Sequence, residues 1–343
     1  MIKPVVTFGE IMLRLIPPGF ERILQTPQFV ATFGGAEANV AVAVAGYGLP
    51  ARYVTVLPSN PIADALLGEL RRFGVDVSHI VRGRGRFGVY YVELGVDQRA
   101  TNVTYDREHS SMALARPGDI DWQKSFEGAG WFHVTGITPA ISQGAADLAL
   151  ESARQARRME LTVSCDLNYR AKLWNYGKKA TEVMPELFRQ ADIGFINGEA
   201  CEKALGIQVD MPAVSGNSDL APHRRLTEKV FEQYPNLKMA AITIRDGSSA
   251  SHSGWSACLH DRKEFLVSRH YDIEHIVDRL GNGDAFAGGL IYGLLMLPTA
   301  QEALEFAVAG SCLNHSIPGD FHRFSVDEVN GVLNSGGAGR VQR

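Results

Sequence analysis

Short apolar runs bounded by Gly, Asp or Asn recur along the chain, and this pattern predicts buried strands. The predicted strands are residues 5–8, 53–56, 131–134, 161–164, 193–196 and 241–244. Between several of them, Leu and Ala recur at helical spacing among Glu, Arg and Gln, as in the predicted helices 63–73 and 143–159. Alternation of strands and helices indicates an α/β fold, namely a doubly wound, mostly parallel sheet with helices on both faces.

Other segments depart from this alternation. Residues 88–94 and 100–106 alternate polar with apolar positions around a turn-like Gly-Val-Asp-Gln, so they predict an antiparallel hairpin outside the main sheet. Residues 209–222 are rich in Pro, Gly, Ser and Asp and predict a surface insertion. A last helix is predicted after Ser325, and the tail 336–343 is expected to be flexible.

The composition narrows the class of protein. The 343 residues carry a net charge of −4, which provides no basic field for nucleic acid. The longest uncharged run, residues 285–301, contains three glycines and a proline and predicts a buried helix instead of a membrane span. Glu10 and Arg14 interrupt the apolar start of the chain, which is not typical of a signal peptide. The four cysteines are widely spaced and form no C-x-x-C pair, so they suggest neither a zinc site nor a disulfide framework. We therefore expect a cytoplasmic enzyme with no nucleic-acid or membrane partner.

The segment 276–289 contains the most informative chemistry. Gly281, Asn282 and Gly283 form a Gly-rich turn that opens a predicted helix, where free backbone N–H groups favour an anion. Asp284 would lie in the first helical turn, placed to accept a proton from a hydroxyl group. A capped helix with a structural Asp explains the same residues. The Walker A motif and the dinucleotide fingerprint do not fit, because the only Gly-Lys pair precedes Lys179 and Phe286 occupies the third glycine position.

Residues 278–284 resemble the D-x-x-G-x-G-D signature of the ribokinase-like, PfkB-type carbohydrate kinases. The resemblance implies that Asp284 is the catalytic base and that the turn 281–283 stabilises the transferred group. Gly34, Gly35 and Asn39 lie in a segment similar to the sugar-binding motif of that family, although a tight turn entering a small-residue helix explains them too. The resemblance implies one kinase domain over residues 1–335, with a β lid formed by about 12–33 and 85–108.

Within this family, the sequence is most similar to the 2-keto-3-deoxygluconate kinases. Residues 166–174 match their D-x-N-x-R-x-x-L-W segment, which implies that Arg170 approaches the carboxylate of an acid sugar. Tyr105 and Arg107, with Tyr91 on the preceding strand, resemble another part of that pocket, and an Arg fork suits a carboxylate. A surface ion pair for Arg170 and ordinary strand packing for the two tyrosines are the alternatives.

The resemblance also implies a nucleotide site that holds ATP. Thr243, Arg245 and Gly247 belong to a segment similar to the T-x-x-x-G turn near the ATP phosphates. Asn314 falls where the family places a residue beside the adenine. A turn glycine and a helix-terminal Asn are also common structural features.

One element of the family pattern is incomplete. Asn197 opens the N-x-x-E element that is linked to Mg²⁺, but Ala200 occupies the position of the acid. Glu199 or Glu202 could replace it, or the ion could be held through water and nucleotide oxygens. Asn282 is a second departure, because Ala or Gly is more usual there, but its backbone N–H is unchanged.

Together these features predict an ATP-dependent kinase that phosphorylates 2-keto-3-deoxygluconate at the C6 hydroxyl to give 2-keto-3-deoxy-6-phosphogluconate, with Mg²⁺ as a cofactor. The alternatives are a kinase of the same fold for another keto or deoxy sugar, such as a fructokinase, and a non-catalytic sugar-binding or regulatory protein. A homo-oligomer formed through the lid is expected, since an exposed hairpin has edges to cover.

Overall fold

The computed structural model describes residues 2–211, 220–246 and 249–335. The predicted tail 336–343 and Gly247 lie outside the described residues, as does the middle of the predicted insertion 209–222. The helix predicted after Ser325 is present at Val326–Ser335.

The structure contains strands and helices in the following bounds. The strands are β1 (Val5–Phe8), β2 (Met12–Ile16), β3 (Val30–Gly34), β4 (Ala51–Val54), β5 (Val56–Leu57), β6 (Val81–Arg82), β7 (Val89–Glu93), β8 (Asn102–Asp106), β9 (Trp131–Thr135), β10 (Thr162–Asp166), β11 (Ile193–Phe195), β12 (Met239–Asp246), β13 (Ser253–His260), β14 (Phe265–Val267) and β15 (Tyr271–Ile273). The helices are α1 (Ala36–Gly46), α2 (Pro61–Arg72), α3 (Ser111–Leu114), α4 (Trp122–Ser125), α5 (Gln143–Arg158), α6 (Ala180–Phe188), α7 (Gly198–Ala200), α8 (Ala221–Gln233), α9 (Asn282–Met296), α10 (Ala300–Asn314) and α11 (Val326–Ser335).

The main sheet has the strand order β14-β13-β12-β11-β10-β9-β1-β4, and β15 also pairs with β13. From β4 to β12 all neighbours are parallel, whereas β13 runs antiparallel to β12. This confirms the predicted doubly wound class. The predicted strand 53–56 is wrong in one respect: the chain leaves the sheet edge after Val54, and β5 pairs with β6 outside the main sheet.

Alternate residues of each central strand enter two separate cores. In β1, Val6 and Phe8 pack with α5 and α6 on one face, whereas Val5 packs with α1, α9 and α10 on the other. This period of two is the expected result of burying a sheet on both faces. The helices therefore cover both sides, as the alternation in the sequence predicts.

Helices α1 and α9 pack closely at the centre of the second core. A Cβ atom at Gly288 would lie 2.6 Å from the Cβ atom of Ala43, so only glycine allows this approach. Close packing brings the first turns of the two helices together, which positions the site described below. Within the part of the chain that the structure describes, no helix is long and apolar enough to cross a membrane.

A separate sheet of four strands has the order β3-β2-β7-β8. Strands β7 and β8 form the predicted antiparallel hairpin, and β2 runs parallel to β7. We call these four strands the small sheet. It has its own small apolar cluster, built around Met12, Tyr90 and Val92, and it covers the carboxyl ends of the main strands.

Candidate active site

Several predicted site residues follow the carboxyl ends of parallel strands, where ligands bind in open α/β sheets. Two adjoining clefts lie there. The first cleft, of about 540 Å³, lies beneath the small sheet and contains Gly34, Gly35, Asn39, Tyr105, Arg107, Arg170, Arg245, Gly281 and Asp284. The second cleft, of about 630 Å³, contains Asn197, Glu199, Thr243, Gly283, Arg170, Arg245, Gly281 and Asp284. The last four of these residues line both clefts, so the two spaces meet at Asp284.

Asp284 lies in the first turn of α9 at this junction. Its side chain is only 9% exposed, and the Asn39 side-chain amide donates a hydrogen bond of 2.7 Å to its Oδ2. Burial raises the pKa of Asp284 to about 8, and the nearby Asp166 and Asp320 carboxyl groups act in the same direction. A carboxyl group with a pKa near 8 is matched to proton abstraction from an alcohol near neutral pH.

The turn before Asp284 presents the start of α9 to both clefts. Gly281 has a φ of +79°, and a Cβ atom there would lie 2.2 Å from the Asp320 carbonyl oxygen, so glycine is required. The first N–H groups of a helix have no partner within the helix and favour an anion. The side chain of Asn282 is buried and donates to the Asp278 carbonyl oxygen at 3.2 Å, so it braces the turn from inside.

Asn314, predicted to lie beside the adenine, is placed outside both clefts. Its side chain is fully buried between α10 and α9, where it donates a hydrogen bond of 2.8 Å to the Oδ1 of Asn282. It lines neither cleft. Asn314 therefore supports the turn through Asn282, because the last turn of α10 faces α9.

Tyr91, predicted for the sugar pocket, does not line the first cleft. Neighbouring strand residues face opposite sides of a sheet, and in β7 it is Tyr90 that faces the first cleft. The Tyr90 hydroxyl donates a hydrogen bond of 2.9 Å to Asp320. Tyr91 packs against the ring of Phe29, with ring centroids 6.3 Å apart.

The two arginines predicted for a sugar carboxylate have different surroundings. Arg107 is buried and forms an ion pair with Glu10, its Nε donating a hydrogen bond of 2.7 Å to the Glu10 carboxylate. Its Nη2 also lies in ion-pair contact with that carboxylate, which leaves Nη1 without a partner among the described residues. Arg170 is exposed to both clefts, and its Nη1 donates to the neighbouring Tyr169 carbonyl oxygen at 3.2 Å.

A buried ion network beneath the first cleft was not predicted. Arg14 on β2 is 1% exposed and donates to the carboxylates of Asp278 and Asp320, the latter at 2.6 Å. Arg14 thus joins the small sheet to Asp278, the first residue of the motif 278–284, and to Asp320, which lines the first cleft. A lone Arg inside the apolar strand Met12–Ile16 is a signal in the sequence, but nothing there names its partners.

The acidic groups of the second cleft are few. Asn197 caps the short helix α7 by accepting from the Ala200 N–H at 2.8 Å, and Ala200 is buried. Glu199 and Asp166 line the cleft, and burial raises the pKa of Asp166 to about 6. Across residues 2–211, 220–246 and 249–335, no group of three His, Cys, Asp or Glu residues could hold a metal ion. Of the predicted nucleotide residues, Thr243 and Arg245 line this cleft.

Comparison with known proteins agrees with this geometry. The structure resembles that of a 2-dehydro-3-deoxygluconokinase from Thermotoga maritima, with a TM-score of 0.91 and 44% identity over 97% of this chain and all of the other. A 2-dehydro-3-deoxygalactonokinase from Haloferax volcanii is 32% identical and matches 99% of both chains. A 2-dehydro-3-deoxygluconokinase from Bacillus subtilis is 26% identical over 92% of this chain and 90% of its own length.

The model of the pfkB family carbohydrate kinases matches residues 3–320, which include both clefts and the turn before Asp284. Kinases of this family transfer a phosphoryl group to an alcohol, which requires a proton acceptor beside an anion-binding turn. This chain therefore belongs to the pfkB family of carbohydrate kinases.

Proposed function

We propose that the protein transfers the γ-phosphoryl group of ATP to the C6 hydroxyl of 2-keto-3-deoxygluconate, giving 2-keto-3-deoxy-6-phosphogluconate. The observation that carries this proposal is the position of Asp284, where a cleft with buried Arg107 meets a cleft with Thr243 and the start of α9. The names of the relatives from Thermotoga maritima and Bacillus subtilis support the same substrate.

In the proposed mechanism, Asp284 accepts the proton of the hydroxyl group as its oxygen attacks the γ-phosphorus. The bond between this phosphorus and the bridging oxygen of ADP breaks as the new bond forms. The backbone N–H groups at the start of α9 stabilise the negative charge on the transferred group. Asn39 holds Asp284 in position through its hydrogen bond to Oδ2.

Mg²⁺ is the proposed cofactor, and it supplies positive charge that neutralises the ATP phosphates. Besides Asp284, the acidic residues that line the second cleft are Asp166 and Glu199, and their oxygens are of the type that Mg²⁺ prefers. With so few protein carboxylates, nucleotide oxygens and water complete the proposed site. Ala200 contributes nothing, since its side chain is buried and apolar.

The first cleft suits an acid sugar. Glu10 contacts Nε and Nη2 of the buried Arg107, and its Nη1 is left without a partner. A carboxylate is the acceptor that binds such a charged N–H group most strongly. Tyr105 lines the same wall. We propose that the small sheet closes over the sugar and excludes water, which suppresses ATP hydrolysis.

The outer edges of the small sheet bear on assembly. Strands β3 and β8 are its two edge strands, and each pairs with only one neighbour in the described structure. Uncovered strand edges tend to pair with other chains. We propose that two copies of the chain associate through their small sheets.

Two other sugars are alternative substrates, because relatives of this chain are named for them. The name of the Haloferax volcanii relative favours 2-keto-3-deoxygalactonate, an epimer with the same carboxylate and the same terminal hydroxyl. Similarity to a probable fructokinase, at 26% identity over 84% of this chain, favours fructose. Arg107 argues against fructose, because a neutral sugar offers its buried Nη1 no charged acceptor.

The test is an assay for ADP release with Mg·ATP and these three sugars, on the wild type and on Asp284→Asn. We expect the two acid sugars to exceed fructose in kcat/KM and the variant to lose at least about a hundredfold, as for removal of a general base. Asp261→Asn is the matched control, since Asp261 lies in the turn between β13 and β14 outside both clefts. A preference for fructose would contradict the substrate, and full activity of Asp284→Asn would contradict the mechanism.

A further inference from the structure

Arg245 lies at the end of β12 and lines both clefts. Its guanidinium group is 4.9 Å from the ring centroid of Trp255, the residue directly opposite on β13. Trp255 is fully buried, and its Nε1 donates a hydrogen bond of 2.7 Å to the Ser311 hydroxyl. A fixed aromatic ring therefore holds the Arg245 cation in place before any ligand binds.

Arg245 has no carboxylate partner at ion-pair distance among the described residues, and neither has Arg170. Arg107 differs, because Glu10 neutralises it. The side chain of Arg245 is exposed, and it faces the space where the two clefts meet together with Arg170. The carboxyl groups of Asp166 and Asp284 line the second cleft with it but form no ion pair with either arginine. A concentration of positive charge without a matching carboxylate is the condition in which an anionic ligand gains most.

Arg279 is the third arginine that lines the second cleft, and its guanidinium group is already bound by backbone carbonyl oxygens. Arg279 donates to the carbonyl oxygens of Ala250 at 2.9 Å and Ser249 at 2.7 Å, so its fork is used within the protein. The second cleft, in contrast, has few acidic side chains with which to fix a metal ion. A protein cation at the junction of the clefts would supply part of the charge that phosphoryl transfer needs.

We propose that Arg245 is a catalytic residue that donates hydrogen bonds to the γ-phosphoryl oxygens while the group passes from ATP to the sugar hydroxyl. This rests on the proposed phosphoryl transfer and not on the identity of the sugar. As the hydroxyl oxygen binds phosphorus, its proton goes to Asp284 and ADP leaves with the electrons of the broken bond. Arg245 binds the oxygens that carry negative charge during this step, and it keeps its own protons.

The position of Arg245 separates this role from binding of the sugar carboxylate. Arg107 lines the first cleft and not the second, as expected for a residue that binds one end of a sugar. Arg245 faces the place where the two ligands meet, together with Asp284 and Gly281. The carboxylate and the reacting hydroxyl are opposite ends of 2-keto-3-deoxygluconate, so one residue at the reacting end does not serve both.

The kinetic test compares Arg245→Gln and Arg245→Lys with the wild type, using the sugar that the wild type phosphorylates best. Arg158→Gln is the control for loss of one positive charge, since Arg158 ends α5 and lines neither cleft. We expect Arg245→Gln to lose at least about a hundredfold in kcat with the KM for the sugar within threefold. Arg245→Lys retains the charge but not the fork, and we expect an intermediate loss.

A binding measurement by calorimetry, with Mg·ADP and the non-hydrolysable analogue Mg·AMP-PNP, requires no sugar. We expect Arg245→Gln to bind AMP-PNP at least about tenfold more weakly and ADP within threefold of the wild type, since one charge-assisted hydrogen bond is worth about this much. Unchanged kcat and unchanged AMP-PNP binding would overturn the proposal. So would a raised KM for the acid sugar at unchanged kcat, which would assign Arg245 to the carboxylate.

The same pair of measurements separates this inference from the proposed function. If the wild type phosphorylates none of the sugars but Arg245→Gln still loses AMP-PNP affinity selectively, the role of Arg245 stands and the substrate assignment fails. If the wild type phosphorylates the acid sugars and Arg245→Gln does so equally well, the role of Arg245 is refuted alone.

Discussion

Replacing Asp284 with Asn removes a buried carboxyl group whose ionisation the fold opposes, and we expect the variant to be more stable than the wild type at high pH. Burial raises the pKa of this group from 3.8 to about 8 in the folded protein. Between these two values, the folded state binds more protons than the unfolded state. The free energy of unfolding of the wild type therefore falls as the pH rises through this interval.

The size of the effect follows from the difference between the two pKa values. Each pKa unit corresponds to about 1.4 kcal/mol. Relative to a pH at which Asp284 is protonated in both states, its raised pKa lowers the free energy of unfolding by about 1.5 kcal/mol at pH 5 and by about 5 kcal/mol at pH 8. Hydration of the cleft reduces these values, and we expect the stabilisation by Asp284→Asn to grow by at least about 2 kcal/mol from pH 5 to pH 8. The hydrogen bond from Asn39 remains available, because the Asn side chain keeps an acceptor oxygen.

The assay is urea-induced unfolding of both proteins at pH 5 and pH 8. Other titrating groups are common to both proteins and cancel in the difference. Asp192→Asn is the control, because hydrogen bonds from Val163 and contacts with Lys238 and Arg157 outweigh its burial and hold the pKa of Asp192 below its ordinary value. The stabilisation of the folded protein by ionised Asp192 is fully present above the pKa of this group in the unfolded state. Asp192→Asn should therefore lower the free energy of unfolding equally at pH 5 and pH 8. Equal effects of Asp284→Asn at both pH values would show that the fold does not raise the pKa of Asp284.

Three further predictions concern activity and stability. Because Asp284 accepts a proton only when ionised, kcat/KM should rise with pH up to about pH 8, and a pH profile that is flat from 6 to 8.5 would contradict a base with this pKa. In the ADP-release assay, Arg107→Gln should lower kcat/KM for 2-keto-3-deoxygluconate about 10- to 100-fold and leave kcat/KM for fructose within threefold of the wild type. Equal losses for both sugars would indicate a structural role for Arg107. Arg14→Met should cost about 3–5 kcal/mol in urea unfolding, since Asp278 and Asp320 would remain buried without a cation, and a loss below about 1 kcal/mol would show that this network is not stabilising.

The sequence was sufficient for the parts of the fold that depend on local pattern. Apolar runs predict the parallel strands because both faces of these strands are buried, and the turn before α9 is recognisable from its glycines. Gly281 adopts a left-handed conformation that few other residues tolerate, so its place in the motif reflects a steric requirement.

The remaining features depend on relations that a local pattern does not contain. Tyr90 and Tyr91 are adjacent tyrosines, and only the face that β7 presents decides which one enters the cleft. Asn314 and Asn282 are 32 residues apart, and their contact depends on how α10 packs on α9. The ion pair of Arg14 with Asp320 joins residues 306 positions apart, so the buried Arg suggests a partner without naming it.

The proposed reaction places a phosphoryl group on the terminal hydroxyl of an acid sugar. The most direct measurement incubates the protein with Mg·ATP and 2-keto-3-deoxygluconate and locates the phosphate in the isolated product by phosphorus–proton correlation in NMR spectra. We expect one product, with phosphorus coupled to the two protons on C6. Phosphorus coupled to any other carbon-bound proton, or release of inorganic phosphate without a phosphorylated sugar, would contradict the proposed reaction.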